Sequence, residues 1–286
     1  MTEAKLVIRN MTTDELLLAV NWAQIEGWNP GINDAALFYL ADPNGFFVGE
    51  LAGEIVAVGS AVTYGDHFAF CGLYIVAPEH RGKGYGLALT EHRLAYCGDR
   101  NVGIDGVLEN VDIYQRIGYR AYYQNRRYQK SAAYRSQSIA AITDIDSKVS
   151  TAELDAINLY DRQCFPASRE AFLQAWMTQN DGLTLVYRQE GKVLGYLVRR
   201  RCVEGYKVGP LFADNIDITS LLFNQAQSGI EGVTIILDVP ESNPAAVALA
   251  EGEDMQVVFA TARMYQRGMP NIDNEKIFGI TTFELG

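Results

Sequence analysis

The chain has 286 residues, 48% of them apolar, and a formal charge of −11. That length suits two domains of ordinary size, each with its own core. The acidic excess opposes binding to nucleic-acid phosphates and leans toward a cationic substrate such as an amine, besides serving solubility. No run of about 18 apolar residues occurs and the opening MTEAKLVIRN holds no signal-peptide core, so no membrane partner is expected and the expected compartment is the cytoplasm. The four cysteines, Cys71, Cys97, Cys164 and Cys202, are widely spaced, form no CxxC pair and have three histidines to join them. That pattern supports neither a disulfide framework nor a metal site.

In chain order, residues 5–10 read as a first strand. Thr12 or Thr13 then caps a helix whose apolar positions Leu16, Leu17, Val20 and Ile25 sit largely at helical spacing. The pattern breaks at Gly27-Trp28-Asn29-Pro30-Gly31, turn chemistry around a large aromatic that is costly to leave in water. Asn33 or Asp34 caps a short second helix through Leu40. Residues 46–51 and 55–62 read as strands joined at Ala52-Gly53, and Gly65-Asp66 turns the chain into a third.

The most informative stretch is residues 74–89, YIVAPEHRGKGYGLAL. A β-forming run ends at Pro78, which cannot donate to a strand ladder. Gly82, Gly84 and Gly86 follow, and Leu87, Ala88, Leu89, Leu94 and Ala95 then give a helical apolar face. A glycine turn leading into a helix N-terminus, with its unpaired N–H groups and positive dipole end, makes an anion cradle. Arg81 and Lys83 add formal charge there. A Walker A loop is excluded because no hydroxyl follows Lys83, and the dinucleotide spacing GxGxxG does not fit either.

What remains, Arg81-x-x-Gly84-x-Gly86 directly after a strand, resembles the acetyl-CoA pyrophosphate loop of the GNAT N-acetyltransferases. The resemblance implies acetyl-CoA as co-substrate, held by Arg81, Gly82, Lys83, Gly84, Tyr85 and Gly86, with main-chain groups of Ile75 and Val76 offered to the pantetheine arm. It also implies that the region between the first two helices walls the acceptor side. Trp28, Asn29, Asp34 and Phe38 are therefore the substrate-pocket candidates, with core filling the other reading for Trp28 and Phe38. After the glycine loop a helix runs to about Cys97, and residues 102–108 make a further strand. Strand, two helices, three antiparallel strands, helix, strand, helix, strand is the order of that superfamily.

Asn110-Val111-Asp112-Ile113-Tyr114-Gln115-Arg116-Ile117-Gly118-Tyr119 resembles its helix beside the thioester, in which a Tyr is followed four residues later by Gly and an aromatic. The usual Asn lies seven residues before that Tyr, whereas Asn110 lies four before it. Amine attack on a thioester expels a thiolate, which leaves better when a positioned acid protonates it. A phenol of pKa about 10 is still protonated at neutral pH. Tyr114 is the expected general acid, in a direct transfer within a ternary complex that needs no metal and no covalent acyl-enzyme. Residues 68–76 carry no carboxylate, which leaves Glu26, Asp34 and Glu109 as candidate bases. Residues 120–130 are basic and partly alternating, a closing strand whose Arg126 or Arg127 either reaches the CoA 3′-phosphate or faces solvent.

From about Tyr134 the chain turns polar and serine-rich, as a linker does. The expected division is a catalytic domain over 1–134, a linker over 135–150 and a second domain over 151–286. Residues 183–188, Glu190-Gly191-Lys192 and 193–199 echo 46–51, Ala52-Gly53-Glu54 and 55–62, and Gly72-Leu73 is answered by Gly209-Pro210-Leu211. An internal repeat of this length means a duplicated unit. The second copy lacks the loop, since Phe-Ala-Asp-Asn follows Leu211, and Ala250 stands where the tyrosine would follow Leu249. It reads as a degenerate copy that packs on the first and closes the acceptor side. Asp161, Arg162, Arg169 and Asp238 either recognise substrate or form internal salt bridges. The β-rich residues 277–285 are expected to close the second sheet.

With GWNPG, YDRQCFP, VGPLFADN, RMYQRG and FGITTFELG added, the chain resembles the tandem bacterial GNAT proteins of the YitH type over essentially its whole length. The fold class is then α/β (α+β), two tandem GNAT-like domains, each a mixed, mostly antiparallel central sheet flanked by helices. The implied partner is a small-molecule or peptide amine rather than nucleic acid or membrane, with the chain a monomer or homodimer. Two other readings stay open: a non-catalytic acyl-CoA-binding sensor or partner-binding module that keeps the loop, and a transferase of longer acyl chains.

Overall fold

The computed structural model describes residues 5–136, 142–145 and 150–286. Strand β1 (Leu6–Asn10) leads into helix α1 (Thr13–Ile25). A capping box sets its start: Thr12 Oγ1 accepts from the Glu15 N–H at 3.2 Å, and the Glu15 carboxylate accepts from the Thr12 N–H at 2.8 Å. Helix α2 (Asp34–Ala41) and the antiparallel meander β2 (Phe46–Leu51), β3 (Glu54–Tyr64) and β4 (Phe68–Val76) follow. Helix α3 (Tyr85–Cys97), β5 (Asn101–Val107), α4 (Val111–Arg116) and β6 (Arg120–Ser131) complete the first set.

The second set repeats the first element for element, as a duplicated unit must. It comprises β7 (Ile142–Ile145), α5 (Thr151–Cys164), α6 (Glu170–Met177), β8 (Leu183–Gln189), β9 (Lys192–Arg201), β10 (Tyr206–Ala213), α7 (Ile216–Gln225), β11 (Thr234–Pro240), α8 (Pro244–Gly252) and β12 (Gln256–Tyr265). A short strand β13 (Ile277–Gly279) comes last. Of the stretch expected as a linker, residues 142–145 form β7, antiparallel to β8; residues 137–141 and 146–149 lie outside the described residues.

Both sets share one sheet, in the order β1-β2-β3-β4-β5-β12-β6-β11-β10-β9-β8-β7. The closing strands are exchanged: β12 pairs with β5, while β6 pairs with β12 and β11. Neither half completes its sheet with its own strands alone. The halves are also joined by packing, where Phe38 of α2 stacks on Trp176 of α6 at 6.2 Å between ring centroids. Both rings belong to a buried cluster that also holds Leu16, Phe70, Tyr196 and Leu285, and each such side chain contributes about 1.5–3 kcal/mol by burial.

The feature that positions the site is the parallel pair β4–β5. It is paired only from Phe68 to Cys71 against Asn101 to Ile104. Beyond Cys71 the register of β4 against β3 shifts and Leu73 takes a φ of 45°, a bulge that bends β4 away from its neighbour. The parallel pair β10–β11 mirrors this arrangement, but there β13 fills the gap, pairing with β10 at Leu211 and Phe212. The expectation that residues 277–285 close the second sheet therefore holds for β13 alone. Residues 280–286 cross to the first half, where Tyr64 Oη donates to the Leu285 carbonyl at 3.0 Å.

Candidate active site

Gly82 and Gly84 take φ of 76° and 84°, left-handed conformations that residues with a β-carbon avoid. They turn the chain from β4 into α3, whose N-cap is Gly84. Gly86 is needed for a different reason: a Cβ there would stand 2.1 Å from Tyr74 Oη. The main-chain N–H groups of residues 82–87 have no hydrogen-bond acceptor among the described residues, and the Ala88 N–H, donating to the Gly84 carbonyl at 3.1 Å, is the first that does. Unpaired N–H groups at the positive end of a helix dipole hold an anion. Arg81 braces this turn: Nη2 bonds Glu26 at 2.6 Å and Nε donates to the Val76 carbonyl at 2.9 Å.

The second element of the site stands across the gap. Past Ile104, β5 is free of β4, and at Gly106 a Cβ would meet the Tyr114 ring at 2.6 Å. The ring therefore lies on bare β5 backbone, delivered by α4, which Gly118 ends at a φ of 97°. Burial raises the Tyr114 pKa, opposed by the Arg93 charge and the Asn110 side chain. The phenol stays protonated and able to donate at neutral pH.

These parts meet in one cavity of about 570 Å³, within the range of small-molecule sites. Of the expected residues it brings together Trp28, Ile75, Val76, Arg81, Gly82, Gly84, Gly86, Asn110 and Tyr114. Lys83 is exposed outside it, and Tyr85 turns its ring toward His80.

Three substrate-pocket candidates lie elsewhere. Asp34 is 1% exposed and ion-paired to Arg200 at 3.0 Å, where it also accepts from the Gly31 N–H. Phe38 is core, and Asn29 trades hydrogen bonds with the Glu204 main chain. Among the candidate bases, Glu109 is exposed outside the cavity, Asp34 is the buried ion-pair partner just described, and Glu26 lines the cavity already bound to Arg81.

The expectation for Arg127 is corrected: it is neither left to solvent nor free to reach a phosphate, being buried against Asp238 at 2.7 Å and donating to the Trp28 carbonyl at 2.8 Å. Arg126 pairs with Glu241 while its side chain stays 41% exposed, in keeping with the solvent-facing expectation. Asp161 and Arg169 form a second buried pair at 2.7 Å, while Arg162 donates to the Phe165 carbonyl. Internal salt bridges, not a substrate site, account for Asp161, Arg169 and Asp238.

Arg93, Phe259, Thr261, Phe283 and Glu284 are among the cavity-lining residues that a reading of the sequence does not single out. Arg93 sits on α3, where an arginine reads as solvent-facing, yet it is buried, donates to the Ser60 carbonyl at 3.2 Å and lies 4.7 Å over the Tyr74 ring. The other four come from β12 and the segment after β13, far from any motif. Cys71 and Cys97, remote in sequence, have Sγ atoms 3.9 Å apart and are both free. Among the described residues, Glu54, Glu79 and His80 place three ligand-type atoms within 4.8 Å of one another, none of the three residues buried.

A duplicated α/β unit whose parallel strands part beside a glycine-capped helix, with a phenol at the gap, defines an acyltransferase of the acetyltransferase fold. The chain belongs to the GNAT acetyltransferase family: the acetyltransferase (GNAT) family model matches residues 13–123, and a second acetyltransferase (GNAT) domain model matches residues 157–279. It is 30% identical over 274 residues to the holothin acyltransferase of Pseudoalteromonas sp. (strain SANK 73390), covering 96% of this chain and 92% of that protein. It is 20% identical to the uncharacterized N-acetyltransferase YitH of Bacillus subtilis (strain 168), covering 91% of each. Among solved structures, one assigned as an acetyltransferase from Pyrococcus horikoshii superposes with a TM-score of 0.82 at 19% identity, covering 98% of this chain and 96% of that one. A tandem GNAT protein from the clavulanic acid biosynthesis pathway gives 0.64 at 12% identity, covering 91% and 98%. At these identities the two structures speak for the fold.

Proposed function

We propose that this acyltransferase moves an acetyl group from acetyl-CoA to a primary amine by direct attack in a ternary complex. In this reading the N–H groups of residues 82–87 bind the CoA diphosphate and the parted edge of β4 at Ile75 and Val76 aligns the pantetheine arm. Tyr114 gives its proton to the departing sulfur. The observation that carries the reading is that the unpaired N–H groups and the Tyr114 ring, the latter seated on Gly106, open onto the same cavity. A small-molecule acceptor is supported by the acyltransferase relative from Pseudoalteromonas, whose named acceptor is holothin.

The test is thiol release from acetyl-CoA over a panel of primary amines, with Tyr114→Phe beside the wild type and longer acyl-CoA donors run in parallel. Removing a general acid is expected to lower kcat by about 10² to 10⁴ while acetyl-CoA binding is kept. A Tyr114→Phe enzyme with unchanged kcat ends the assignment of the acid. Tight acetyl-CoA binding with no product on any amine ends the assignment of the reaction.

A further inference from the structure

The cavity's far wall is built by the second half of the chain. Residues 277–279 are anchored to β10, and the Ile280 N–H donates to the Asp238 carbonyl at 2.9 Å. Arg169 Nη1 donates to Thr281 Oγ1 at 2.8 Å, and Thr282 Oγ1 accepts from the Leu285 N–H at 2.9 Å. The segment is thus held from both sides, and between those ties it presents Phe283 and Glu284 to the cavity.

The placement of Glu284 is specific. A Cβ at Gly72 would stand 2.3 Å from the Glu284 carbonyl oxygen, so the glutamate's main chain rests on β4 one residue past the last β4–β5 pair, at the mouth of the gap. Glu284 is 5% exposed and lines the cavity, and its side chain has no hydrogen-bond or ion-pair partner among the described residues. The cavity's other carboxylates are committed: Glu26 to Arg81, and Asp105 to Arg263 at 2.7 Å and to Asn125. β4 supplies no carboxylate of its own. Trp28, Phe259 and Phe283 wall the same space, with the last two rings 5.9 Å apart.

We infer that Glu284 is the group that takes the proton from the acceptor's ammonium, in a subsite whose aromatic walls fit a single amine carried on a flat apolar group. The inference rests on the amine-acylation reading and deepens it. One uncommitted carboxylate matches one ammonium; the further charges of a polyamine would find no second uncommitted carboxylate in the cavity and would meet the field of Lys207, Arg200 and Arg127.

The proton balance closes. The ammonium gives one proton to the Glu284 carboxylate, directly or through a water, and the freed nitrogen lone pair forms the C–N bond at the thioester carbon. As the C–S bond breaks, sulfur takes the Tyr114 proton and the nitrogen's second proton returns to the phenolate through solvent. Glu284 then releases its proton to water. Burial raises the Glu284 pKa, and Asp34 adds to that; Lys207, Arg200 and Arg127 oppose it. A carboxylate so raised is a stronger base than an exposed one.

The experiment measures thiol release and acetyl-CoA binding for the wild type, Glu284→Gln and Glu284→Asp, with benzylamine, spermidine and a lysine-containing peptide as acceptors across pH. The expected result has benzylamine as the best acceptor and its kcat/KM lowered about 10²-fold or more in Glu284→Gln near neutral pH. The deficit shrinks as pH approaches the amine's own pKa, Glu284→Asp recovers part of the rate, and acetyl-CoA affinity does not change. A deficit of constant size at every pH marks a packing role and overturns the inference, as does a Glu284→Gln enzyme with the wild-type rate and profile. Preference for spermidine or the peptide overturns the acceptor class. No transfer by the wild type to any amine removes the acylation reading, and the role of Glu284 with it, whereas transfer unaffected by Glu284→Gln removes only the latter.

Discussion

Tyr114 owes its place to a residue with no side chain. Gly106 leaves room for the ring on β5, and a methyl group there would overlap it at 2.6 Å. Gly106→Ala should push the phenol off its position by a fraction of its own width. Misplacement of about 1 Å can cost about 10²-fold in rate, so kcat should fall by that order while acetyl-CoA binding persists; steady-state thiol release and a binding titration decide it. A variant that keeps full kcat would mean the ring has another seat. Tyr114 was findable in the sequence because its surroundings are local: a helix, a glycine that ends it four residues on, an aromatic after that. Glu284 was not, because nothing in its own neighbourhood distinguishes it from a surface glutamate; only the bare Gly72 at the other side of the contact makes it part of a site. Asp34 erred in the opposite direction, and Phe38 stayed open between pocket and core, since a cap position and an apolar helix position look alike whether they face a ligand or the other half of the same chain.

Helix α3 works through its first turn. Gly84 holds a φ of 84° as the N-cap, and forcing a β-carbon into that region costs roughly 1–2 kcal/mol. Gly84→Ala should therefore lower stability by about that amount and, by turning the free N–H groups off their common direction, weaken acetyl-CoA binding about tenfold or more, since 1.4 kcal/mol is tenfold in affinity. A thermal melt and a titration read the two effects separately, and unchanged affinity would exclude the turn as the diphosphate site. The strand, glycine turn and helix were legible because each rests on contiguous residues. The pairing of β6 was not: its basic composition reads as an outer face, whereas it is an interior strand whose Arg127 finds Asp238 on β11. Which strand lies beside which, across such a separation, depends on topology and not on local alternation.

At the scale of the molecule, the exchange of β6 and β12 makes the two copies one sheet. A tandem array of independent units would unfold in two steps; a shared sheet should unfold in one. The tryptophans offer a readout for each half, Trp22 and Trp28 in the first and Trp176 in the second. Denaturant midpoints followed by Trp176 alone, in Trp22→Phe/Trp28→Phe, and by the other two, in Trp176→Phe, should each coincide with the loss of far-UV circular dichroism in the same variant. Separated midpoints would show that the halves melt independently. The repeat itself was visible from paired motifs, but the interleaving was not, because duplicated sequences look the same whether the copies sit side by side or trade their last strands.

The filling of the second gap by β13 has a consequence for how the two copies have drifted apart. One copy has stayed hollow and the other has become solid, and the plug that made it solid carries on past its own sheet to furnish the hollow one with a rear wall. The second copy is thus a fixture of the first: whatever seats residues 277–279 also fixes where Phe283 and Glu284 stand in the cavity that the glycine turn faces.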